Sequence, residues 1–380
     1  PEQKRIIEYP ALPLRIAAGA GTGKTTTLAM RIAHLVGEGA AEPEQVLGIT
    51  FTNKAAQELN ERITEMLEGV AEPGRDVEIH TYHGFAALIL SEFGVLAGVE
   101  HDSRIITPTF ARQLLFDSIG SGEYEYLDVT WRGIIDRPES IASDLGDNLR
   151  TAEDLVALCE ANDGELYEER AELAAIVRRF EAEKRRLGTL DYSDLVRLAY
   201  RAVTDHPEVA SRIRSRYRVV LLDEYQDTNP AQRELLLTIF GDGFPVTAVG
   251  DPDQTIYEWR GASLENFAGF PRHFPHEDGT AAKTLSLTVN RRSTKGVIGF
   301  ANAIRKKTGD DTGQDLKPTG DAGPGLVATR WTRTALDEAE FIAGTMLELS
   351  NQGYEWRQMA VLFRKNKDIG LIQQALEEHQ

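Results

Sequence analysis

Short apolar runs alternate with helical patterns through the first part of the chain. The apolar runs cover residues 14–17, 46–50 and 77–80, and helical periodicity follows each of them, to about residue 36, over 54–67, and after residue 80. Strands that alternate with helices are typical of a parallel sheet covered by helices. The pattern therefore predicts an α/β fold.

A long helical stretch interrupts this alternation. Helical periodicity dominates from about residue 93 to about residue 186, in a stretch that is acidic and contains scattered Gly and Asp, and apolar runs return at 219–222 and 246–249. We interpret this stretch as an insertion into one α/β domain. Within it, the charges at 178–186 are typical of a solvated helix face with ion pairs. After it, Asn229 and Pro230 predict a helix start, because Asn caps helices and Pro suits the first turn.

A second α/β series is predicted from residue 284 onward. Its apolar runs cover residues 285–287, 325–328 and 360–363, and helical patterns start at Lys295, cover 335–349, and end near His379. Residues 306–325 are rich in Gly, Asp, Thr and Pro, a composition that predicts a loop.

Composition places the chain among ordinary globular proteins. Its 380 residues are 41% hydrophobic and 27% charged, and this length predicts two or three domains. No apolar run approaches the roughly 20 residues that span a bilayer, and the first ten residues lack the apolar stretch of a secretion signal. We therefore expect a soluble, cytoplasmic protein. The single Cys159 excludes a disulfide, a four-cysteine zinc site or a four-cysteine iron–sulfur cluster within the chain, and is interpreted as a structural thiol.

The formal net charge of −18 argues against nucleic-acid binding when it is taken alone, because lysine and arginine supply most of the affinity for phosphates. That argument is weak. A local groove of backbone amides, hydroxyls and stacking aromatic rings can hold a strand while the outer surface stays acidic.

A glycine-rich segment between the first predicted strand and helix has the chemistry of a phosphate-binding loop. Its candidate nucleotide-binding residues are Ala18, Gly19, Ala20, Gly21, Thr22, Gly23, Lys24, Thr25 and Thr26. Glycines let backbone N–H groups surround phosphate oxygens, the helix N-terminus favours negative charge, a lysine reaches the β and γ phosphates, and a following threonine ligates Mg²⁺. Ala18 stands where the strict pattern has glycine, and a chance glycine-rich turn is the alternative interpretation.

Two acids follow the apolar run at 219–222. Asp223 has the position and chemistry to hold the Mg²⁺ shell, and Glu224 to polarise an attacking water, the two tasks that phosphoryl transfer to water needs. A strand that ends in solvated acids is the alternative. The pairing with a phosphate-binding loop in the same α/β domain favours the functional interpretation.

Several blocks of the sequence resemble the superfamily-one DNA helicases of the UvrD, PcrA and Rep type, in the order that this family has. They are TFTNKAA at 50–56, TYHGF at 81–85, LDYSDL at 190–195, DEYQDT at 223–228, VGDPDQTIYEWRGA at 249–262, NRRS at 290–293 and MAVLFR at 359–364. The resemblance spans the whole chain. It implies an ATP-dependent motor that moves on single-stranded DNA with 3′ to 5′ polarity and unwinds duplex DNA.

The resemblance also implies roles for individual residues toward ATP and Mg²⁺. Gln3 would read adenine, Gln254 would sense the γ-phosphate, and Arg292 would be an arginine finger that meets transition-state charge. Lys24 and Glu224 would complete the catalytic set, with Thr25 and Asp223 on the metal. Arg291 stands where the family has a tyrosine that stacks on adenine, which makes the base selectivity an open question.

For DNA, the resemblance implies contacts through aromatic and polar side chains that do not read sequence. The candidate residues are Phe51, Thr52, Asn53, His83, Tyr257, Trp259 and Arg260. For Phe51 and Trp259 the alternative is a place in the core, and for His83 a structural role. Partners implied are single-stranded DNA and single-strand/duplex junctions, and repair or recombination proteins.

The implied organisation is a RecA-like P-loop domain with a helical insertion, followed by part of a second RecA-like domain. The first motor domain would comprise 1–95 and 189–283, the inserted helical domain 96–188, and the second motor domain 284–380, whose remainder would be supplied by a further C-terminal part of the same motor. Alone, the chain is expected to be an impaired motor. Two alternatives stay open, the helicase part of a helicase–nuclease recombination complex and an ATP-switched module that binds DNA or a partner.

Overall fold

A six-stranded parallel sheet lies at the centre of the first of two units. The computed structural model describes residues 1–68, 75–100, 102–120, 122–127, 134–258, 261–308 and 313–378, and the chain divides into Pro1–Pro324 and Gly325–Gln380. The strands are β1 (Leu14–Ala18), β2 (Val46–Thr50), β3 (Glu78–Thr81), β4 (Arg104–Ile105), β5 (Thr189–Leu190), β6 (Val219–Leu222), β7 (Val246–Gly250), β8 (Lys283–Leu287), β9 (Val289–Asn290) and β10 (Lys317–Pro318). The sheet has the order β3-β2-β6-β7-β1-β8 with every pair parallel.

Helices connect the strands of this sheet and cover it. Those of the first unit are α1 (Glu2–Ile7), α2 (Lys24–Gly37), α3 (Asn53–Leu67), α4 (Tyr82–Phe93), α5 (Pro108–Gly120), α6 (Asp136–Asp147), α7 (Ala152–Glu160), α8 (Glu165–Arg186), α9 (Tyr192–Asp205), α10 (Pro207–Arg214), α11 (Pro230–Phe240), α12 (Leu264–His273) and α13 (Lys295–Thr308). Strands β2, β6 and β7 are buried along their whole length, as expected for parallel strands covered on both faces. The predicted α/β fold is confirmed, and so is the start of α11, where Asn229 Oδ1 accepts a hydrogen bond from Gln232 N.

The predicted insertion consists of α5 to α8, with β4 and β5 forming a small parallel pair. Apolar side chains of α5 and α8, among them Leu115 and Ile176, form a core of its own. The prediction that 178–186 is a solvated face is wrong for Phe180, which is buried in this core, and for one charged residue, Lys184. Lys184 is 5% exposed, and its Nζ lies 2.6 Å from Asp191 Oδ2 and 2.7 Å from Asp194 Oδ2, because α9 packs its first turn against this helix.

The strand predicted at 285–287 forms as β8, but it does not begin a second sheet. It pairs with β1 from Lys283 to Leu287 and is the sixth strand of the first sheet, at its edge. The loop predicted at 306–325 is shorter than expected, since α13 continues to Thr308 and β10 occupies 317–318. Residues 309–312 of that loop lie outside the described residues.

The second unit contains α14 (Ala335–Asn351) and α15 (Ile369–Glu378), which pack through Ala339, Ala343, Ile372 and Ala375. The prediction of strands at 325–328 and 360–363 is wrong. Neither segment forms ladder hydrogen bonds, and the described residues of this unit contain no strand with which it could pair. An apolar run becomes a strand only where a partner edge is available.

No helix within the described ranges combines the length and apolarity needed to span a bilayer.

Candidate functional site

The carboxyl ends of β1, β6 and β7 meet at one edge of the sheet, where parallel α/β folds place their ligand sites. The predicted phosphate-binding loop leaves β1 at Ala18 and enters α2 at Lys24. Gly21 and Gly23 have φ angles of 67° and 86°, a region that favours glycine, and Thr22 Oγ1 donates to Gly19 O at 2.7 Å. The sequence therefore places strand, loop and helix correctly.

Asp223 and Glu224 follow β6, and both face the start of α2. Lys24 Nζ lies 3.2 Å from Glu224 Oε2. Asp223 is 5% exposed and accepts a hydrogen bond from Thr50 Oγ1 at 3.4 Å. Glu224 has φ 48°, a left-handed backbone conformation that is unusual for a residue with a Cβ. The predicted lysine, aspartate and glutamate are therefore brought together by two elements, the first turn of α2 and the segment that follows β6.

Burial dominates the electrostatics of the acids at this edge. Burial first, and then the neighbouring Glu224 carboxylate, raise the pKa of Asp223 to about 6 against the opposing effect of Lys24. Burial followed by Glu224 likewise raises the pKa of Asp227 to about 6. Burial also raises the pKa of Asp251. A cation bound among these carboxylates would stabilise their charged forms and so oppose the rise in pKa that burial causes.

The residues present fit a divalent cation. Asp223 Oδ1 is buried, and no described residue gives it a hydrogen bond. An unpaired buried carboxylate oxygen is costly unless a ligand satisfies it. Together with the hydroxyl of Thr25, in the first turn of α2, it offers the hard oxygen ligands that Mg²⁺ prefers.

Gln226 connects these acids to the end of β7. The residue is 1% exposed, and its Nε2 donates to Glu224 Oε2 at 2.8 Å and to Asp227 Oδ2 at 3.2 Å. Its Oε1 accepts from Asp251 N at 3.1 Å. Asp251 in turn accepts a hydrogen bond from the Nε2 of Gln254. The predicted Gln254 is thus joined to Glu224 through two side chains that sequence reasoning did not single out.

Residues 290–293 pack directly on the phosphate-binding loop. Asn290 Nδ2 donates to Ala20 O at 2.7 Å, and Arg291 N donates to Gly21 O at 2.8 Å. A Cβ on Gly21 would lie 2.9 Å from Arg292 Cβ, so only glycine permits this approach. The guanidinium of Arg292 makes no hydrogen bond to a described residue. Neither a hydrogen bond nor an ion pair connects it to Glu224.

Gln3 and Arg291 meet beside this loop. Arg291 Nη2 donates to Gln3 Oε1 at 3.1 Å, and Gln3 Nε2 donates to Thr27 Oγ1 at 3.1 Å. Thr26, also a candidate, accepts from Arg62 Nη1 at 2.8 Å. A cleft of about 540 Å³ is lined by Gly19, Ala20 and Gln254 and by residues of α13, among others. Lys24 and Asp223 do not line it.

The candidate DNA-binding residues form two aromatic contacts. The rings of Phe51 and Tyr257 lie 4.7 Å apart at 30°, and both side chains are partly exposed. The ring of His83 meets the edge of Tyr192 at 5.8 Å, and Tyr192 is 53% exposed. The remaining candidates have the following places: Thr52 caps α3 through Ala55 N, Asn53 is exposed at the start of that helix, and Trp259 and Arg260 lie outside the described residues.

Comparison with known proteins agrees with this arrangement. Residues 1–275 match the family model described as the UvrD/REP helicase N-terminal domain, and residues 285–380 match the UvrD-like helicase C-terminal domain. The chain belongs to the UvrD/REP helicase family. The predicted family resemblance and the RecA-like fold class are therefore confirmed.

Two relatives within this family are both named ATP-dependent DNA helicase PcrA. The protein from Staphylococcus epidermidis (strain ATCC 35984) is 31% identical over 373 residues, which cover 98% of this chain and 49% of the relative. The protein from Staphylococcus aureus (strain Mu50) is 31% identical over the same length, with 98% and 48% covered. The chain spans about half the length of the curated relatives it matches.

Sequence reasoning gave no role to several residues at this site, among them Asp251, which links Gln254 to Gln226. Gln226 and Asn290 stand inside the quoted blocks, and their amides join segments that are distant in sequence. Tyr192 also stands in a quoted block, and its exposure identifies it as part of the same aromatic surface as His83. Their residue types were a signal, since an amide or an aromatic ring within a functional block is a candidate by composition alone.

Proposed function

We propose that this chain is the ATP-binding motor portion of a DNA helicase that moves 3′ to 5′ along single-stranded DNA. The observation that carries the proposal is the meeting of Lys24, Asp223 and Glu224 at the carboxyl edge of the sheet. The names of the similar relatives, ATP-dependent DNA helicase, support the same activity.

In this proposal the phosphate-binding loop, residues 18–26, holds the triphosphate of ATP. Backbone amides and the N-terminus of α2 favour its negative charge, and Lys24 neutralises the β and γ phosphates. Gln3 faces the base, and Arg291 lies next to it. Thr25 and Asp223 hold Mg²⁺, which when bound supplies charge neutralisation for the phosphates.

Glu224 orients the attacking water. Lys24 and Gln226 both contact its Oε2, whereas its Oε1 makes no hydrogen bond to a described residue. Oε1 is therefore the oxygen that can accept a hydrogen bond from water. Gln254 senses the γ-phosphate, and hydrogen bonds through Asp251 and Gln226 connect it to Glu224. Arg292 meets the charge that develops in the transition state.

Single-stranded DNA binds at the aromatic surface of Phe51, Tyr257 and His83, together with Thr52, Asn53, Trp259 and Arg260. Exposed rings stack on bases of any sequence, which suits a motor that moves along a strand and explains how an acidic protein can bind DNA. We further propose the organisation 1–95 and 189–283 for the first motor domain, 96–188 for the insertion, and 284–380 for part of the second motor domain.

The deciding experiment measures ATP hydrolysis with and without single-stranded DNA, on this chain and on the full-length product of its gene. Strong DNA stimulation in the full-length product alone is the expected result, because this chain covers about half of its relatives. If the full-length product binds ATP but DNA leaves hydrolysis unchanged, the motor proposal fails and an ATP-switched binding module replaces it.

A further inference from the structure

The side chain of Arg291 reaches the amide of Gln3, although the two residues are 288 positions apart. Arg291 Nη2 donates to Gln3 Oε1 at 3.1 Å, and Gln3 Nε2 donates to Thr27 Oγ1 at 3.1 Å. Thr27 Oγ1 donates to Gly23 O at 2.8 Å, which ties this amide to the phosphate-binding loop. Both ends of Gln3 therefore have protein partners.

The backbone of Arg291 is anchored to the same loop. Its N–H donates to Gly21 O at 2.8 Å, and the adjacent Asn290 donates to Ala20 O at 2.7 Å. The guanidinium is exposed, and apart from the bond to Gln3 it makes no hydrogen bond to a described residue. Arg291 therefore presents further N–H donors beside Gln3, at a fixed distance from the loop.

The donors and acceptors at this point differ from those of a glutamine alone. An unpaired glutamine amide offers one acceptor and one donor, which match the N6 amino group and the N7 atom of adenine. Here Arg291 already donates one hydrogen bond to Gln3 Oε1, which takes one of the two acceptor positions of that oxygen, and the guanidinium adds donors. Guanine presents two acceptors, O6 and N7, on that edge, and the fork of an arginine pairs well with them.

We propose that Arg291 determines base specificity at this site and lets it bind GTP as well as ATP. This inference rests on the proposed function, since it assumes that the base of the nucleotide lies against Gln3. It concerns the purine edge alone, because a pyrimidine lacks N7 and does not offer the same pair of acceptors.

The test is equilibrium binding of non-hydrolysable ATP, GTP and CTP analogues with Mg²⁺ to the 380-residue chain. The wild-type dissociation constants for the ATP and GTP analogues are expected to lie within about tenfold of each other. Arg291→Leu, which keeps much of the side-chain volume and removes every donor, is expected to weaken the GTP analogue by about tenfold or more and the ATP analogue far less. Arg272→Leu, at an exposed arginine on α12, is the matched control and should change neither.

A second measurement needs no variant. Inosine triphosphate keeps O6 and N7 but lacks the 2-amino group, so it is expected to bind like GTP. The 7-deaza analogue of GTP lacks N7 and is expected to bind more weakly. Equal binding of GTP and 7-deaza-GTP would contradict recognition of this edge.

The outcomes separate the inference from the function beneath it. Binding of the ATP analogue with GTP more than a hundredfold weaker, or an unchanged ratio in Arg291→Leu, overturns the inference and leaves the motor proposal intact. A CTP analogue that binds as tightly as GTP overturns it as well. Failure of every analogue to bind the wild-type chain would instead remove the proposed nucleotide site.

Discussion

Lys24 Nζ and Gln226 Nε2 converge on a single carboxylate oxygen, Glu224 Oε2, at 3.2 Å and 2.8 Å. The lysine comes from the first turn of α2 and the glutamine from the segment after β6. Glu224 is therefore held from two sides, with its backbone in the left-handed region. A residue fixed in this way has one oxygen left for chemistry.

Replacing Glu224 with glutamine should leave nucleotide binding nearly intact and reduce ATP turnover by about a hundredfold or more, the contribution of a general base. The amide keeps the size of the side chain and loses the charge that orients water. The comparison needs binding and hydrolysis measured on the same full-length protein. Glu58→Gln, on the exposed face of α3, is the control, and normal hydrolysis by Glu224→Gln would rule out the assigned role.

Alanine at Phe51 or Tyr257 should weaken binding to single-stranded DNA while sparing ATP. Their rings are in contact at 4.7 Å, and one lost base stack corresponds to about 1–3 kcal/mol. Fluorescence anisotropy with a labelled oligonucleotide measures the loss. Tyr126→Ala removes an exposed ring from the segment between α5 and α6 and serves as the control. Unchanged DNA affinity in both variants would assign Phe51 and Tyr257 to packing.

Arg31→Met should destabilise the first unit by about 3 kcal/mol or more. The guanidinium is fully buried and donates to the carbonyl oxygens of Ile6, Tyr9 and Pro10 and to Thr247 Oγ1, and methionine would leave these acceptors without donors. Burial also lowers the pKa of Arg31 to about 10.

Urea unfolding of the wild-type chain and this variant measures the difference. Arg201→Met, at an exposed position on α9, controls for the loss of a surface charge. A change below about 0.5 kcal/mol for Arg31→Met would show that water satisfies the three carbonyls instead.

Asp147→Asn should raise the melting temperature at pH 8 and have little effect near pH 4. Asp147, at the end of α6, accepts a hydrogen bond from Asn229 Nδ2 at 2.6 Å, and burial raises its pKa to about 6 from the ordinary 3.8. Between those values the folded chain binds a proton that the unfolded chain does not, so this group stabilises the fold as the pH falls. Above pH 6 the buried charge lowers stability, and asparagine removes that cost.

The quantity to follow is the difference in melting temperature between variant and wild type from pH 8 to pH 4. It is expected to shrink toward zero as wild-type Asp147 becomes protonated. Asp163→Asn, at an exposed aspartate, should show no such trend. A difference that grows on acidification would reverse the sign of the argument.

Sequence patterns predicted those strands whose formation depends on local composition. Strands β2 and β6 have the predicted bounds, because runs of buried apolar residues between turns have few other solutions in an α/β chain. The segments at 325–328 and 360–363 are also apolar, yet neither is a strand. Pairing depends on a partner elsewhere in the chain, which a local pattern does not contain.

The same limit applies to the site. Lys24, Asp223 and Glu224 were predictable, because loops and acids at strand ends meet at one edge of a parallel sheet. The bond between Arg291 and Gln3 was not, since side-chain contacts across 288 residues have no signature in sequence spacing. Neither was the burial of Lys184, where a charged helix face pairs with acids from the next helix.

The order of strands in the central sheet determines how much of the chain must be synthesised before the sheet can form. Thr50, at the end of β2, and Asp223, just after β6, are 173 residues apart, and β1 has no partner strand until β7 is made. At roughly 5–20 residues per second, a ribosome needs about 10–30 s to synthesise the intervening helices. During that time β1 and one edge of β2 remain unpaired. The nascent chain therefore exposes apolar strand edges, which chaperones can bind and which favour aggregation. The helical insertion therefore makes the α/β core a slow, high-contact-order fold.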